Sequence, residues 1–415
     1  MFLGWRMVGV AFVADFVAVG FMFYSFGVFL GAVEEDLGAS RAEISWALAI
    51  ANLAGSFAAP FIGRLLDRLG VRRVMTAGAC LMAAGFVLAS QARALWQFHL
   101  VFGTLLALGA MSMGNLSAGK LVASWFDERR GTALGVATMG ISLSGLAMPP
   151  LATWLILNLG WRGGFLVYAA GTLCVIAPLA LLFVVERPED VGQRPDGRPQ
   201  PAEGEDAAPA ERAFASAEIL RDPGFWRIVL PFALAFFSNS AVLTHVVQHA
   251  IELGIADYRA AFLLSCIAGA GVAGKVAFGR IADGLGPRAA VAISVGLQLA
   301  GVLLLRELTT YPPLVATGLL FGFGMGGMVP LQGTLVATTF GRVSFGKAMG
   351  LIRPFQVPIH AAGVPFAGWI FVRSGSYDPA FAVFAGAYLL ALAALLAPAR
   401  RRRDVRASDG DHPER

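Results

Sequence analysis

Twelve stretches of this sequence stay apolar for about 20 residues, the length needed to cross roughly 30 Å of hydrocarbon as a helix. They lie at 7–32, 43–66, 73–91, 95–123, 131–158, 162–184, 225–252, 258–281, 287–306, 311–338, 345–372 and 378–398. A helix satisfies its backbone internally, which lipid demands of any spanning segment. Charged residues make up 14% of the 415 positions, against about 25% in soluble domains. That is too few for a water-soluble shell. The chain is therefore expected to be an all-α membrane protein with twelve transmembrane helices.

Residues 187–222 differ from their surroundings, being rich in Pro, Ala and both charge signs with few large apolar groups. Such a segment buries too little to fold alone. It is expected to be a flexible cytoplasmic linker between a six-helix bundle at 1–186 and a second at 223–399, with a basic tail at 400–415. Arg and Lys set the orientation. Alternate loops carry Arg64, Arg68, Arg72 and Arg73, then Arg129 and Arg130, then Arg280, Arg288, Arg342 and Lys347. The opposite loops hold scattered residues such as Arg41, Arg93 and Arg259. Both termini are expected in the cytoplasm and the chain in the cytoplasmic (inner) membrane. The same distribution accounts for the net charge of +5 without nucleic acid as a partner. Cys80, Cys174 and Cys266 sit far apart in apolar runs, so neither a disulfide framework nor a metal site is expected. The first apolar run is too long for a cleaved signal and lacks a small-residue cleavage site.

The two halves repeat. Gly63-Arg64-Leu65-Leu66-Asp67-Arg68-Leu69-Gly70-Val71-Arg72 aligns with Gly279-Arg280-Ile281-Ala282-Asp283-Gly284-Leu285-Gly286-Pro287-Arg288, each after the second span of its half. After the fourth span, Phe126…Gly131-x-Ala133-x-Gly135 recurs as Phe340…Gly346-x-Ala348-x-Gly350. The bundles should be pseudo-symmetric. With these motifs the chain resembles the major facilitator superfamily, whose loop motif G-x-L-x-D-R-x-G-x-R-R is matched at 63–73. Tyr24-Ser25-Phe26-Gly27, Ser40-Arg41-Ala42-Glu43, Trp125-Phe126 and Gly160-Trp161-Arg162 are similar to stretches of its monocarboxylate and oxalate/formate porter branch. The resemblance implies twelve helices working by alternating access. It also implies a conformational latch at Gly63, Asp67, Arg68, Gly70 and Arg72. Asp283 keeps the acid of the second copy, but Gly284 replaces its arginine, so that copy is expected to latch more weakly.

Ionisable residues well inside the apolar runs are few: Asp15, Lys120, Lys275 and Arg353. Each costs at least a few kcal/mol near the bilayer centre unless paired or hydrated, which makes it a functional candidate. Lys275 lies eight residues before Asp283, about 12 Å along its helix, and Arg353 lies eight residues after Phe345, at similar depth. Two cations with no buried acid in their half call for an anion. The resemblance adds that porters of this branch bind carboxylate with a cation four residues before the motif glycine, where Lys275 stands. Oxalate-type porters have a second on the eleventh span, which Arg353 matches. The acid that animal monocarboxylate porters place four residues before the first cation is replaced here by Gly271, and their first-span lysine by Tyr24.

Further polar candidates for the pocket are Tyr24, Asn115, His245, Gln332 and Gln356; Arg353, Gln356 and His360 share a helical face. Asp15 and Lys120 have two readings, a proton-coupling group or a mutual charge pair. Tyr24, nine residues on, is half a turn out of phase with Asp15 in a straight helix. Gly269–Lys275 spells G-x-x-x-x-G-K, yet Val276 takes the required Ser/Thr place in mid-membrane. With no nucleophile–base set and no cofactor motif in context, an enzyme is not expected. The expected function is secondary transport of a small organic anion, mono- or dicarboxylate, by proton symport or anion exchange, as a monomer. An exporter of amphipathic compounds is the alternative, and a transport-dead receptor a weaker one.

Overall fold

The computed structural model describes residues 2–198 and 212–397. Among them no strand occurs, and eleven helices are long and apolar enough to cross a bilayer. One of the eleven, Arg130–Phe183, runs for 54 residues, far more than one crossing needs. At Gly160 its backbone turns to φ 69° and ψ 171°, a left-handed φ that a residue with a Cβ avoids. The break divides it into a fifth and a sixth span, giving twelve in two sets of six.

Helix starts follow from local chemistry. Ser40 opens the second span (Arg41–Leu69), its hydroxyl accepting from the Glu43 amide while the Glu43 carboxylate accepts from the Ser40 amide at 2.8 Å; the two residues satisfy each other's free donors. Asp222 caps the seventh span (Pro223–Glu252) by accepting from the Gly224 amide at 2.7 Å, with Pro223 in the first turn. The duplication extends to backbone angles. Gly70 and Gly286 end the second and eighth spans at φ 85° and 87°.

Two pairs of helices carry the contact between the halves: the second span lies on the eleventh (Phe345–Ser374), and the fifth on the eighth (Asp257–Leu285). These seams are copies of each other. Gly63 meets the backbone of Gly346, and Gly350 meets that of Ala59. In the other seam Gly279 meets Gly131, and Gly135 meets the backbone of Lys275. Missing Cβ atoms allow this approach, as small residues do at membrane helix interfaces.

The linker departs from the expectation of a flexible tether. Its described ends are docked. Amide groups of Asp127, Glu128 and Arg129 donate to the Asp196 carboxylate at 2.8–3.2 Å, and Leu3 donates to Gln193 at 3.0 Å. On the other side Phe214 donates its amide to Ser344 at 2.8 Å and accepts from the Lys347 ammonium at 2.7 Å. Free backbone donors on the loops were the missing partners; composition hid them because a few polar bonds, not an apolar core, hold these ends. The middle of the linker and the basic tail at 400–415 lie outside the described residues.

Candidate functional site

The two motif acids close one end of the molecule, the face that carries the linker. The Asp67 carboxylate accepts from the amides of Gly346 at 3.1 Å and Lys347 at 2.9 Å. These are the first residues of the eleventh span, whose free N–H groups and positive dipole end favour an anion. In the second copy Asp283 accepts from the amides of Gly131 at 2.7 Å and Thr132 at 2.8 Å, capping the fifth span in the same way. Each half thus plugs the opening turn of the other.

Several sequence expectations need correction here. Lys120 does not pair with Asp15. Its ammonium reaches the linker face, where it binds Asp67 at 2.8 Å and the carbonyl oxygens of Arg342 and Val343. A four-methylene stem lets it lie along the helix toward the polar end, so Lys120 joins the cluster around Asp67. Nor does Arg72 cross between the halves; its guanidinium donates to the Val184 carbonyl in its own half. Arg68 lines a groove beside Asp67 with Arg64 and Lys347. The difference between the two latch copies therefore rests on Lys120 and not on the arginine lost at Gly284.

Away from the latch the halves separate around a cavity of about 620 Å³, lined from the first, fifth, seventh, eighth, tenth and eleventh spans. Lys275 lies at its inner end, 7% exposed. Tyr24, Asn239, Ser240 and His360 add polar groups. A separate, smaller cavity of about 90 Å³ opens between the first, second, fourth and eleventh spans, with Asn52, Ser56, Asn115 and Arg353 the polar members of a mainly apolar lining. Asp15 is buried in the first span, outside both linings. It is 0% exposed, neither carboxylate oxygen has a hydrogen-bond partner among the described residues, and its charged neighbours are Lys275 and Arg353. An acid of one half thus faces two cations of the other.

Tyr24 lines the larger cavity from a first span that is not straight. A π-helical turn at Gly20–Tyr24, closed by the Ser25 amide on the Gly20 carbonyl at 3.0 Å, takes in one extra residue and rotates the rest of the helix about its axis. Three other candidates are engaged elsewhere. His245 is held between the Tyr377 hydroxyl and the Val364 carbonyl, both at 3.1 Å, near the far end of the seventh span. Gln332 donates to Gln356 at 3.2 Å, and both side chains are buried inside their own half. Sequence reasoning missed Asn239, which lines the cavity with an amide nitrogen that lacks a hydrogen-bond partner while its oxygen accepts from Tyr388 at 2.7 Å. The available signal was an uncharged polar run, Ser238-Asn239-Ser240, in the middle of an apolar stretch.

Two six-helix halves, doubly latched at one end and parted around buried charges, are the architecture of a carrier. Comparison with known proteins agrees, since the family model of the Major Facilitator Superfamily matches residues 15–352 and 252–414. The chain belongs to that superfamily. Among curated relatives, Monocarboxylate transporter 13 of Rattus norvegicus is 29% identical over 395 residues, covering 94% of this chain and 87% of the relative. Monocarboxylate transporter 3 of the same species is 30% identical over 388 residues, covering 91% and 76%. Of solved structures, the human organic anion transporter MFSD10 (TETRAN) superposes with a TM-score of 0.72 at 20% identity, covering 94% of this chain and 99% of that one. The E. coli fucose:proton symporter superposes with 0.63 at 15% identity, covering 93% and 98%. This superfamily member is a multi-pass membrane transporter with a small-molecule substrate, resembles the monocarboxylate branch, and is not an enzyme.

Proposed function

We propose that the protein carries small organic anions, monocarboxylates above all, together with a proton, by alternating access in the cytoplasmic membrane. The latched linker face is cytoplasmic in this reading, and the described conformation faces outward. The observation that carries the proposal is a buried charge set: Asp15, with Lys275 in the larger cavity and Arg353 in the smaller one as its charged neighbours. Two buried cations against one acid leave a surplus of one positive charge, which calls for an anionic cargo. The names of the curated relatives, monocarboxylate transporters, support a monocarboxylate as that cargo.

Coupling follows from the same count. If Asp15 takes up a proton as a carboxylate engages Lys275 and Arg353, the site keeps its net charge of +1 on loading. The movement between faces then meets no new cost of charge in lipid. His360, seven residues beyond Arg353 on the eleventh span, and Tyr24 on the first are the other titratable groups lining the cavity. Export of amphipathic compounds without an anionic group is disfavoured, because such a cargo leaves both cations uncompensated.

The test is uptake of labelled mono- and dicarboxylates into proteoliposomes, with and without an inward proton gradient. Monocarboxylates should enter faster than dicarboxylates and faster still with the gradient. Uptake of every acid at the rate of protein-free vesicles would end the proposal.

A further inference from the structure

Resting on the anion reading above, we infer that the substrate is not a compact hydrophilic acid: its carboxylate carries an apolar body of roughly phenyl size. The cavity is much larger than a two- or three-carbon acid requires and lies in the range that encloses drug-sized ligands. Beyond its inner end, the walls include Ile141 and Leu143 of the fifth span, Phe236 of the seventh, Val272 of the eighth, and Met325 and Val329 of the tenth.

Helical side chains lean toward the N-terminus of their helix, which aims Lys275 at Gly271 one turn earlier. Gly271 lines the cavity and packs against the tenth span at Gly322 and Met325. A carboxylate bound at Lys275 points its substituent along the apolar walls. The separate cavity at Arg353, about 90 Å³, holds little more than a few waters and is too small to take the body instead. Specificity in this arrangement is divided: cations select the charge, and the fifth and tenth spans select an apolar remainder. A short acid would satisfy the first and leave the second wet.

Displacement of labelled phenylacetate from the full-length protein in detergent tests this, with the Lys275→Gln/Arg353→Gln double variant as the blank for partition into micelles. Along the straight-chain acids from butanoate to octanoate, affinity should rise by roughly three- to four-fold per methylene, and acetate should compete weakly. In Val329→Asn the slope along the series should fall. A flat or falling series in a protein that does bind acids overturns this inference and leaves the anion reading standing. Amides of the same shape competing as well as the acids would overturn the anion reading, whatever the slope.

Discussion

Replacing Asp67 with Asn tests the latch with an almost isosteric change. The carboxylate uses both oxygens, one toward the Gly346 amide and Lys120, the other toward the Lys347 amide. An amide side chain retains one acceptor, and its NH2 then faces a backbone N–H with nothing to accept it. Asp67 and Lys120 side chains are 6% and 11% exposed, so water does little to soften the loss. Two charge-assisted interactions at about 1.5–3 kcal/mol each disappear, or about 3–6 kcal/mol in all. At about 1.4 kcal/mol per tenfold, the latched state loses roughly a factor of 100 to 10,000 against the unlatched one. Asp283→Asn removes one such backbone bond and has no lysine to lose, so its effect should be about half as large in free energy. Spin labels at Leu69 and Leu285, exposed positions at the ends of the second and eighth spans, report opening of the linker face by distance measurement. Longer distances should dominate in Asp67→Asn, appear as a minor population in Asp283→Asn, and leave substrate binding in detergent intact. Identical distance distributions in all three proteins would refute the latch.

Asp15→Asn should abolish acceleration of uptake by a proton gradient while exchange of internal for external anion continues; retained acceleration would move the coupling proton to another group. His245→Gln loses part of a bridge between Tyr377 and Val364 and should lower stability by about 1 kcal/mol, seen as a lower melting temperature, with substrate affinity changed less than two-fold. A ten-fold loss of affinity would return His245 to the substrate site.

The spans and their duplication were legible because length and hydropathy are properties of a segment by itself. The join at Gly160 was legible in the same way, as a break between the runs 131–158 and 162–184 with Asn158 and Arg162 beside it. Lys275 and Arg353 were legible for the same reason: a charge in an apolar run is visible wherever its helix packs. Partners were not. That Lys120 binds Asp67, 53 residues away, or Gln332 binds Gln356 depends on which helices lie side by side. Phase agreed with the structure in one respect, since Tyr24 lines the larger cavity and Asp15 does not; the π turn at Gly20–Tyr24 was not legible, because no residue there announces it. The second latch copy was judged by its missing arginine, when the decisive contacts are to backbone amides that every residue supplies.

Titration of the purified protein with phenylacetate by calorimetry, beside the single variants Lys275→Gln and Arg353→Gln, tests the cation site most directly. Phenethylamine serves as the control of opposite charge, and the thermal melt of each variant establishes that it is folded. The wild type should bind the acid and not the amine, and each folded variant should lose about 1.5–3 kcal/mol of affinity, roughly ten- to 150-fold. Arg353→Lys should fall in between, since it keeps the charge without the planar fork. Unchanged affinity in both folded Gln variants would contradict the account.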